Sequence, residues 1–287
     1  MADKTIKHFV FVPFFTHQDS RYPYDIYDVN FLSKQLLVAK NNVLRSLENQ
    51  TNKNFEIVFF SNRYFFDEKY DFVFSTLRDS TTLPVKFAKL KNKAKIERPN
   101  FNEGDMADLV NAALNEYDFV IQTRIDFDDF VFKDGFADTQ SKVDECENIL
   151  AYGYCKGYMY FDGVIYPNFW LWRGQGHIGI FQSLIMKSSF AKSLPFFSIY
   201  RDHSRFLDPF KNFLENNGVK FSESMFQQNS SDNAYIYFRS EFSHNNLVTN
   251  PGHLNKLRDN PKTNPIGITK KYLEEEFGFE YELKSIK

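Results

Sequence analysis

Two short apolar runs constrain the fold of this chain more than any other feature. His8 to Phe15 (HFVFVPFF) and Phe55 to Phe60 (FEIVFF) are each too short for a core helix, and each is stopped by a polar cluster, Thr16-His17-Gln18-Asp19 and Ser61-Asn62-Arg63. Apolar runs of this length with turn signals behind them read as buried strands. Between them, Asn30 to Gln50 places Leu36, Leu37, Val43, Leu44 and Leu47 near the helical period, with Lys34, Lys40, Arg45 and Glu48 in the intervals. One face is then apolar and the other charged, which is the pattern of a helix lying on a sheet. Strand, helix and strand in sequence predict a parallel pair joined by a right-handed crossover. Sheets of that kind hold ligands beyond the carboxyl ends of their strands.

Further elements follow from the same reading. Gly104 to Glu116 puts Met106, Leu109, Val110, Ala113 and Leu114 on one helical face and hands over to a strand, Phe119 to Ile125. Lys133 to Leu150 reads as a helix. Tyr158 to Tyr166 reads as a hairpin turning at Asp162-Gly163, the point where the sheet is expected to become mixed. Ile178 to Met186 (IGIFQSLIM) reads as a strand, and Pro209 to Asn217 as a helix with Asp208 as its cap and Gly218 just past its end. The tail from Asn245 carries Pro251, Pro261 and Pro265 and closes with a short charged helix, Lys270 to Phe277. With no internal repeat and no flexible linker, the expected class is α/β: a mixed, mainly parallel sheet flanked by helices. A single domain, 1–244, is expected to carry a C-terminal extension, 245–287, packed on it.

Composition removes several functions. Of 287 residues, 43% are hydrophobic and 25% charged, which is globular rather than disordered. Lys and Arg total 35 against 37 Asp and Glu, so there is no basic field of the kind that nucleic acid requires. Cys146 and Cys155 form no disulfide framework and no zinc spacing, and read as free thiols. No run of about 18 apolar residues is present to span a membrane. The start, MADKTIKHFV, lacks the pattern of a signal peptide. The expected address is cytoplasmic, and hydropathy leaves open a peripheral position at the membrane. Phe at 34 positions and Tyr at 16 raise the aromatic share to 18%, which a Phe-rich core accounts for without a ligand.

The chemistry concentrates at the end of the Phe119–Ile125 strand, where Asp126-Phe127-Asp128-Asp129 places three carboxylates within four residues. In an extended segment alternate side chains share a face, so Asp126 and Asp128 are expected to converge while Phe127 turns into the core. Two hard oxygen ligands suit Mg²⁺ or Mn²⁺, which take their remaining ligands from water and substrate phosphates. The bland alternative is a solvated acidic turn with Asp128 or Asp129 capping a helix. Arg124 either neutralises this cluster or reaches a phosphate. An EF-hand loop starting at Asp126 fails, because its sixth and twelfth places hold Val131 and Ala137 instead of Gly and Glu. The D-x-D-x-T/V pattern of aspartate-nucleophile phosphohydrolases fails at Phe130. P-loop, dinucleotide and serine-hydrolase signatures are absent.

The phrase Leu47-Glu48-Asn49-Gln50-Thr51-Asn52-Lys53-Asn54-Phe55, followed by Thr123-Arg124-Ile125-Asp126-Phe127-Asp128-Asp129, resembles glycosyltransferases of the GT-A fold. It is most similar to a bacterial and viral group labelled rhamnosyltransferases, over roughly residues 8 to 220. The resemblance implies a GT-A-like (Rossmann-like) fold and a nucleotide-diphosphate-sugar donor. Asp126 would contact the donor's ribose or the metal, Asp128 would ligate the metal, and Asp129 would support the loop. Pro13, Phe14 and Thr16, with Ser61 and Asn62, would line the nucleotide pocket. The acidic residue common after the second strand of the broader fold is missing here. In similar enzymes an E-D motif opens a helix that ends in Gly; Arg201-Asp202-His203 precedes the helix ending at Gly218, so Asp202 or His203 takes the place of the base, with Asp232 in reserve. A histidine of the tail that returns to the metal or the diphosphate would be His244, or else His253.

An inverting transfer needs a base opposite the metal to remove the acceptor hydroxyl's proton. Trp170-Leu171-Trp172-Arg173-Gly174-Gln175-Gly176-His177 can hold a sugar, with ring faces against its apolar side and Arg173 and Gln175 meeting hydroxyls or phosphates, and Trp172, Arg173 and His177 are the candidate substrate-binding residues; a packed Trp corner explains the same residues. The resemblance implies transfer of a sugar to a glycan or lipid-linked glycan acceptor, with rhamnose or another hexose suggested by the family label. Two other classes compete. A non-catalytic carbohydrate-binding protein would bind glycan without metal or nucleotide, and a metal-dependent phosphohydrolase or nucleotidyltransferase would release phosphate or pyrophosphate.

Overall fold

A computed structural model of the chain describes residues 4–16, 25–91, 104–167, 181–200, 206–230, 233–239 and 266–284. The strands β1 (Ile6–Pro13), β2 (Glu56–Asn62), β3 (Val85–Leu90) and β4 (Phe119–Arg124) are all parallel to one another, in the spatial order β3-β2-β1-β4. The sheet continues from β4 through β9 (Gln182–Lys187), β6 (Ile149–Tyr154) and β10 (Phe226–Asn229) to seven strands. Only β9 runs against its neighbours, β4 and β6, so the sheet is mixed and mainly parallel. A second, four-stranded sheet has the order β5 (Phe130–Val131), β11 (Tyr235–Arg239), β7 (Tyr158–Phe161) and β8 (Val164–Pro167).

Both faces of the large sheet are covered, which is why its strands read as unbroken apolar runs. Val10, Val12, Ile57, Phe59 and Ile121 share a cluster with Leu32 and Leu36 of α1 (Val29–Ala39) and Val73 and Leu77 of α3 (Asp71–Asp79). Their alternates Phe9, Phe11, Val58, Phe60 and Val120 pack with Met106 and Val110 of α4 (Asp105–Glu116), Ala191 of α6 (Ser188–Ala191), and Phe210 and Leu214 of α7 (Leu207–Asn216). The period of two along each strand thus divides one apolar run between two cores. Asp28 caps α1, its carboxylate accepting the Phe31 N–H at 2.8 Å. The expected single helix over Asn30–Gln50 is three pieces: α1, a π-helical turn Lys40–Leu44, and α2 (Arg45–Glu48).

Four expectations are corrected. Lys133–Leu150 is not one helix: α5 (Gly135–Ser141) ends in a 3-10 turn, Lys142–Asp144, because Ile149–Tyr154 buries its apolar side chains as a strand between β9 and β10. The Tyr158–Tyr166 hairpin exists, with φ of 49° at Asp162 and 79° at Gly163, but it belongs to the second sheet; the large sheet becomes mixed at β9. Asp208 is no cap, since α7 starts at Leu207, and Asp208 and Pro209 lie within its first turn. The strand anticipated from Ile178 begins at Gln182, with 178–180 outside the described residues.

The C-terminal helix Lys270–Phe277 is capped by Thr269 and stopped by Gly278 at φ 70°. Leu273, Phe277 and Phe279 pack against Phe130, Tyr158, Ile236 and Phe238 of the second sheet. Among the described residues no helix is long and apolar enough to cross a membrane.

Candidate functional site

The chain runs from β1 outward to β2 and β3, then crosses back to place β4 on the other side of β1. The strand order therefore reverses between β1 and β4, and the crevice at their carboxyl ends is the position where open α/β sheets bind ligands. Phe14, Phe15 and Thr16 leave β1 there, and Ile125 to Asp129 leave β4. Those five residues are also the connection to the second sheet, since β5 begins at Phe130.

The carboxylate segment is a turn and not an extended strand. Asp129 donates its N–H to the Asp126 carbonyl at 3.1 Å, so the expected alternation of Asp126 and Asp128 on one extended face gives way to a loop folded back on itself. Phe127 does turn inward, its ring 5.8 Å from that of Phe14 and 5.9 Å from that of Phe15. Phe15 has φ of 52°, an unfavourable region for a bulky side chain, and its carbonyl accepts from the side chain of Asn62 at 3.3 Å.

Asp129 is fully buried. Its Oδ1 accepts the Phe238 N–H of β11 at 3.0 Å, while Oδ2 is buried with no hydrogen-bond donor among the described residues. Burial, then the neighbouring Asp128 and Asp126 carboxylates, holds its carboxyl well above the usual range, against the opposing influence of Arg239 and the Phe238 N–H. Arg239, at the end of β11, is a cation near the carboxylates that the sequence reading missed; its guanidinium lies 3.4 Å from the centre of the Tyr237 ring. Arg124 is 2% exposed, reaches Asp126 Oδ1 at 3.3 Å and lies 4.1 Å from the centre of the Tyr200 ring. This ion pair fits either role read from the sequence, neutralising the cluster or meeting a phosphate beside Asp126.

A buried polar ladder underlies the loop. Asn42, in the π-helical turn, donates from Nδ2 to the Asp128 carbonyl at 2.7 Å. One turn on, Ser46 Oγ bonds both backbone groups of Val131. Gln50, past the end of α2, donates to the Phe132 carbonyl at 2.8 Å and accepts from the Phe136 N–H at 3.2 Å. Thr51 adds its N–H to the Lys133 carbonyl at 2.8 Å. The Gln50-Thr51-Asn52 phrase of the sequence is therefore the dock for the segment that follows the carboxylates. Tyr281 Oη donates to Asn42 Oδ1 at 2.6 Å; burial, Tyr160 and Asp128 push that hydroxyl up to about 12, so it stays a donor at neutral pH.

Of the residues singled out from sequence, Pro13, Phe14, Thr16, Asn62, Arg124, Asp126, Asp128 and Asp129 stand at or just past the carboxyl ends of β1, β2 and β4. Asn62 is buried, with its amide donating to Phe15 O and Tyr27 Oη and its Oδ1 accepting from Tyr64 N. Trp172, Arg173, His177, Asp202, His203, Asp232, His244 and His253 lie outside the described residues. Asn42 and Ser46 went unnoticed in sequence, although two polar residues four apart inside an apolar helical stripe are the signal of such a ladder.

The three aspartates fit a hard divalent cation: they offer carboxylate oxygens, Asp129 Oδ2 is buried with no hydrogen-bond partner among the described residues, and their mutual repulsion is one that a positive charge would relieve. Among the described residues no three His, Cys, Asp or Glu side chains form a complete cage. A Mg²⁺ site of one or two carboxylates completed by water and phosphate needs none.

Comparison with protein-family models and with curated proteins finds no match. Among solved structures, the chain is similar to S. aureus TarS 1-349 in complex with UDP, at 17% identity over 82% of this chain and 61% of that one, with a TM-score of 0.40. It is also similar to mannosyltransferase PcManGT from Pyrobaculum calidifontis in complex with GDP-Man and Mn²⁺, at 10% identity over 80% and 58% of the two chains, TM-score 0.39. A candidate glucose-1-phosphate thymidylyltransferase from Bacillus anthracis, in complex with a sucrose, is 12% identical over 93% and 98%, TM-score 0.40. This chain thus spans about three fifths of the TarS 1-349 length. At these identities and scores, what those proteins bind does not transfer to it.

Proposed function

We propose that the chain is a glycosyltransferase that moves a sugar, rhamnose or another hexose, from a nucleotide-diphosphate-sugar donor to a hydroxyl of a surface glycan with inversion. The observation that carries this reading is the place of Asp126-Phe127-Asp128-Asp129: at the carboxyl end of β4, beside β1, where the strand order reverses. Asp126 and Asp128 would hold Mn²⁺ or Mg²⁺, which when bound supplies positive charge to a departing diphosphate. Arg124 sets the charge and orientation of Asp126, and Asp129 ties the loop to β11. We assign Pro13, Phe14, Thr16 and Asn62, at the ends of β1 and β2, to the nucleotide pocket. Asp202 or His203 is assigned the acceptor's proton, Trp172, Arg173 and His177 the sugar, and His244 a further place at the metal. We assign residues 1–244 to one catalytic domain with 245–287 as its extension, in a cytoplasmic enzyme.

The test is the thermal stability of the protein with UDP, dTDP, GDP or CMP, each with and without Mn²⁺, since a ligand bound only by the native state raises its apparent stability. One diphosphate that raises Tm only when Mn²⁺ is present is the expected outcome. Failure of every pair to shift Tm rejects the transferase reading, and release of pyrophosphate from a nucleoside triphosphate and a sugar 1-phosphate, with no nucleoside diphosphate freed from a nucleotide sugar, would favour a nucleotidyltransferase.

A further inference from the structure

The π-helical turn Lys40–Leu44 interrupts an otherwise α-helical segment, and such turns recur at functional positions because the extra residue re-aims the side chains around it. Here the re-aimed residue is Asn42, wholly buried, whose two amide atoms are both committed. Nδ2 bonds the carbonyl of Asp128 at 2.7 Å and Oδ1 accepts from Tyr281 at 2.6 Å. The partners fix the amide's orientation, since a carbonyl cannot donate and the hydroxyl is free to. Ser46 and Gln50 bond residues 131, 132 and 136, beyond the loop. Asn42 alone of the three bonds a residue of the carboxylate turn.

We propose that Asn42 is the positioning residue of the carboxylate loop: held in orientation by Tyr281, it fixes the Asp128 carbonyl and thereby the separation of the Asp126 and Asp128 carboxylates. This rests on the reading of those carboxylates as a cation site, and it also couples that site to the C-terminal segment. Tyr281 lies among Phe130, Tyr160, Phe238 and Phe279, with ring centres 4.8–6.4 Å away, so displacement of that segment would release the amide.

The test compares Asn42→Asp, which keeps the acceptor for Tyr281 and removes the donor to Asp128, with Tyr281→Phe and Ser46→Ala. Two readouts are taken on the full chain: backbone hydrogen exchange over residues 126–130, and the Kd for Mn²⁺ alone from electron paramagnetic resonance of the free ion. Asn42→Asp is expected to speed exchange in 126–130 and to weaken Mn²⁺ about tenfold, as loss of an outer-sphere support does. Tyr281→Phe should do the same by about threefold. Ser46→Ala should speed exchange at 131–133 and leave the Mn²⁺ Kd within about twofold, a difference that a purely structural role for both residues would not produce. Unchanged exchange in 126–130 for a folded Asn42→Asp, or an equal loss of Mn²⁺ in Ser46→Ala, overturns the proposal. Should Asn42→Asp fail to fold, Tyr281→Phe decides by the same two criteria. If the unaltered protein takes up no Mn²⁺, the cation reading falls, and the exchange rates alone judge Asn42.

Discussion

Ser46 Oγ accepts the N–H of Val131 at 2.8 Å and donates to the carbonyl of the same residue at 2.9 Å. A single hydroxyl thus pairs both backbone groups of a residue in β5, a strand of two residues that has only β11 beside it in the second sheet. Without that hydroxyl the first strand after the carboxylate loop would present its backbone to an apolar helix face.

Ser46→Ala is accordingly expected to lower stability by about 1–3 kcal/mol, the range for leaving buried backbone groups unpaired. Urea unfolding measures it. A change below about 0.5 kcal/mol, the level of an ordinary surface substitution, would mean that water replaces the hydroxyl.

His8 should make stability depend on pH. It is buried in a chain in which Gln140 meets Nδ1 at 3.1 Å, Nε2 meets Thr123 Oγ1 at 2.7 Å, and Thr123 meets Ser183 at 2.6 Å. Burial lowers its pKa from 6.5 to about 3. Between those values the unfolded chain binds a proton that the native state refuses, so this residue's stabilisation is complete above pH 6.5 and is lost as pH falls toward 3. The slope is about 1.4 kcal/mol per pH unit below the unfolded pKa. Urea unfolding of wild type and His8→Asn from pH 7.5 to 4.5 isolates it; parallel curves for the two proteins would contradict this.

Asp128→Ala should leave Tm nearly unchanged, because a partly exposed carboxylate in a loop contributes little, while abolishing any Mn²⁺-dependent shift by nucleotide. An unfolded variant would make Asp128 structural.

Asp129 behaves in the opposite sense. Its native pKa is raised, so the native state keeps a proton that the unfolded state loses above 3.8, and the stability held by that proton declines as pH rises through the native value. Asp129→Asn imitates the protonated form. At pH 7.5 it should raise the metal-free Tm and reduce the Tm gain from Mn²⁺, both read in one thermal titration. A lower metal-free Tm would show that the charge itself is needed by the fold.

Gly157→Ala tests the floor of the second sheet. A Cβ there would run into the ring of the fully buried Tyr235, an overpacking that costs about 1–3 kcal/mol. Gly218→Ala, at φ 75° with no atom within 4 Å, meets backbone strain alone and should cost about 1 kcal/mol. Equal unfolding midpoints for the two variants would show that the Tyr235 ring moves aside freely.

Much of the fold was legible in the chain. β1, β2, β4 and α4 follow from apolar runs and helical spacing, and the Asp162-Gly163 turn from its residue types. β3 and α3 carry weaker patterns, VKFAKL being half exposed at an edge and Asp71–Asp79 having only two buried residues, and both went unread. At the candidate site, the three aspartates and Arg124 stand out by local density of charge. Asn42, Ser46 and Arg239 do not, since one amide, one hydroxyl and one guanidinium look like surface residues until a partner is known.

Sequence by itself determined which segments bury two faces, which bury one, and where the carboxylates stand along the chain, because periodicity and residue type act over a few neighbouring positions. The tertiary structure alone decided the rest. The reversal of β9, the separate second sheet, the 82 to 86 residues that part the ladder from its partners and the 109 that part Asp129 from Phe238 are pairings over long distances. Buried backbone groups must find a partner, but nothing in the local pattern says which one; that choice is made only when the two cores close around the sheet.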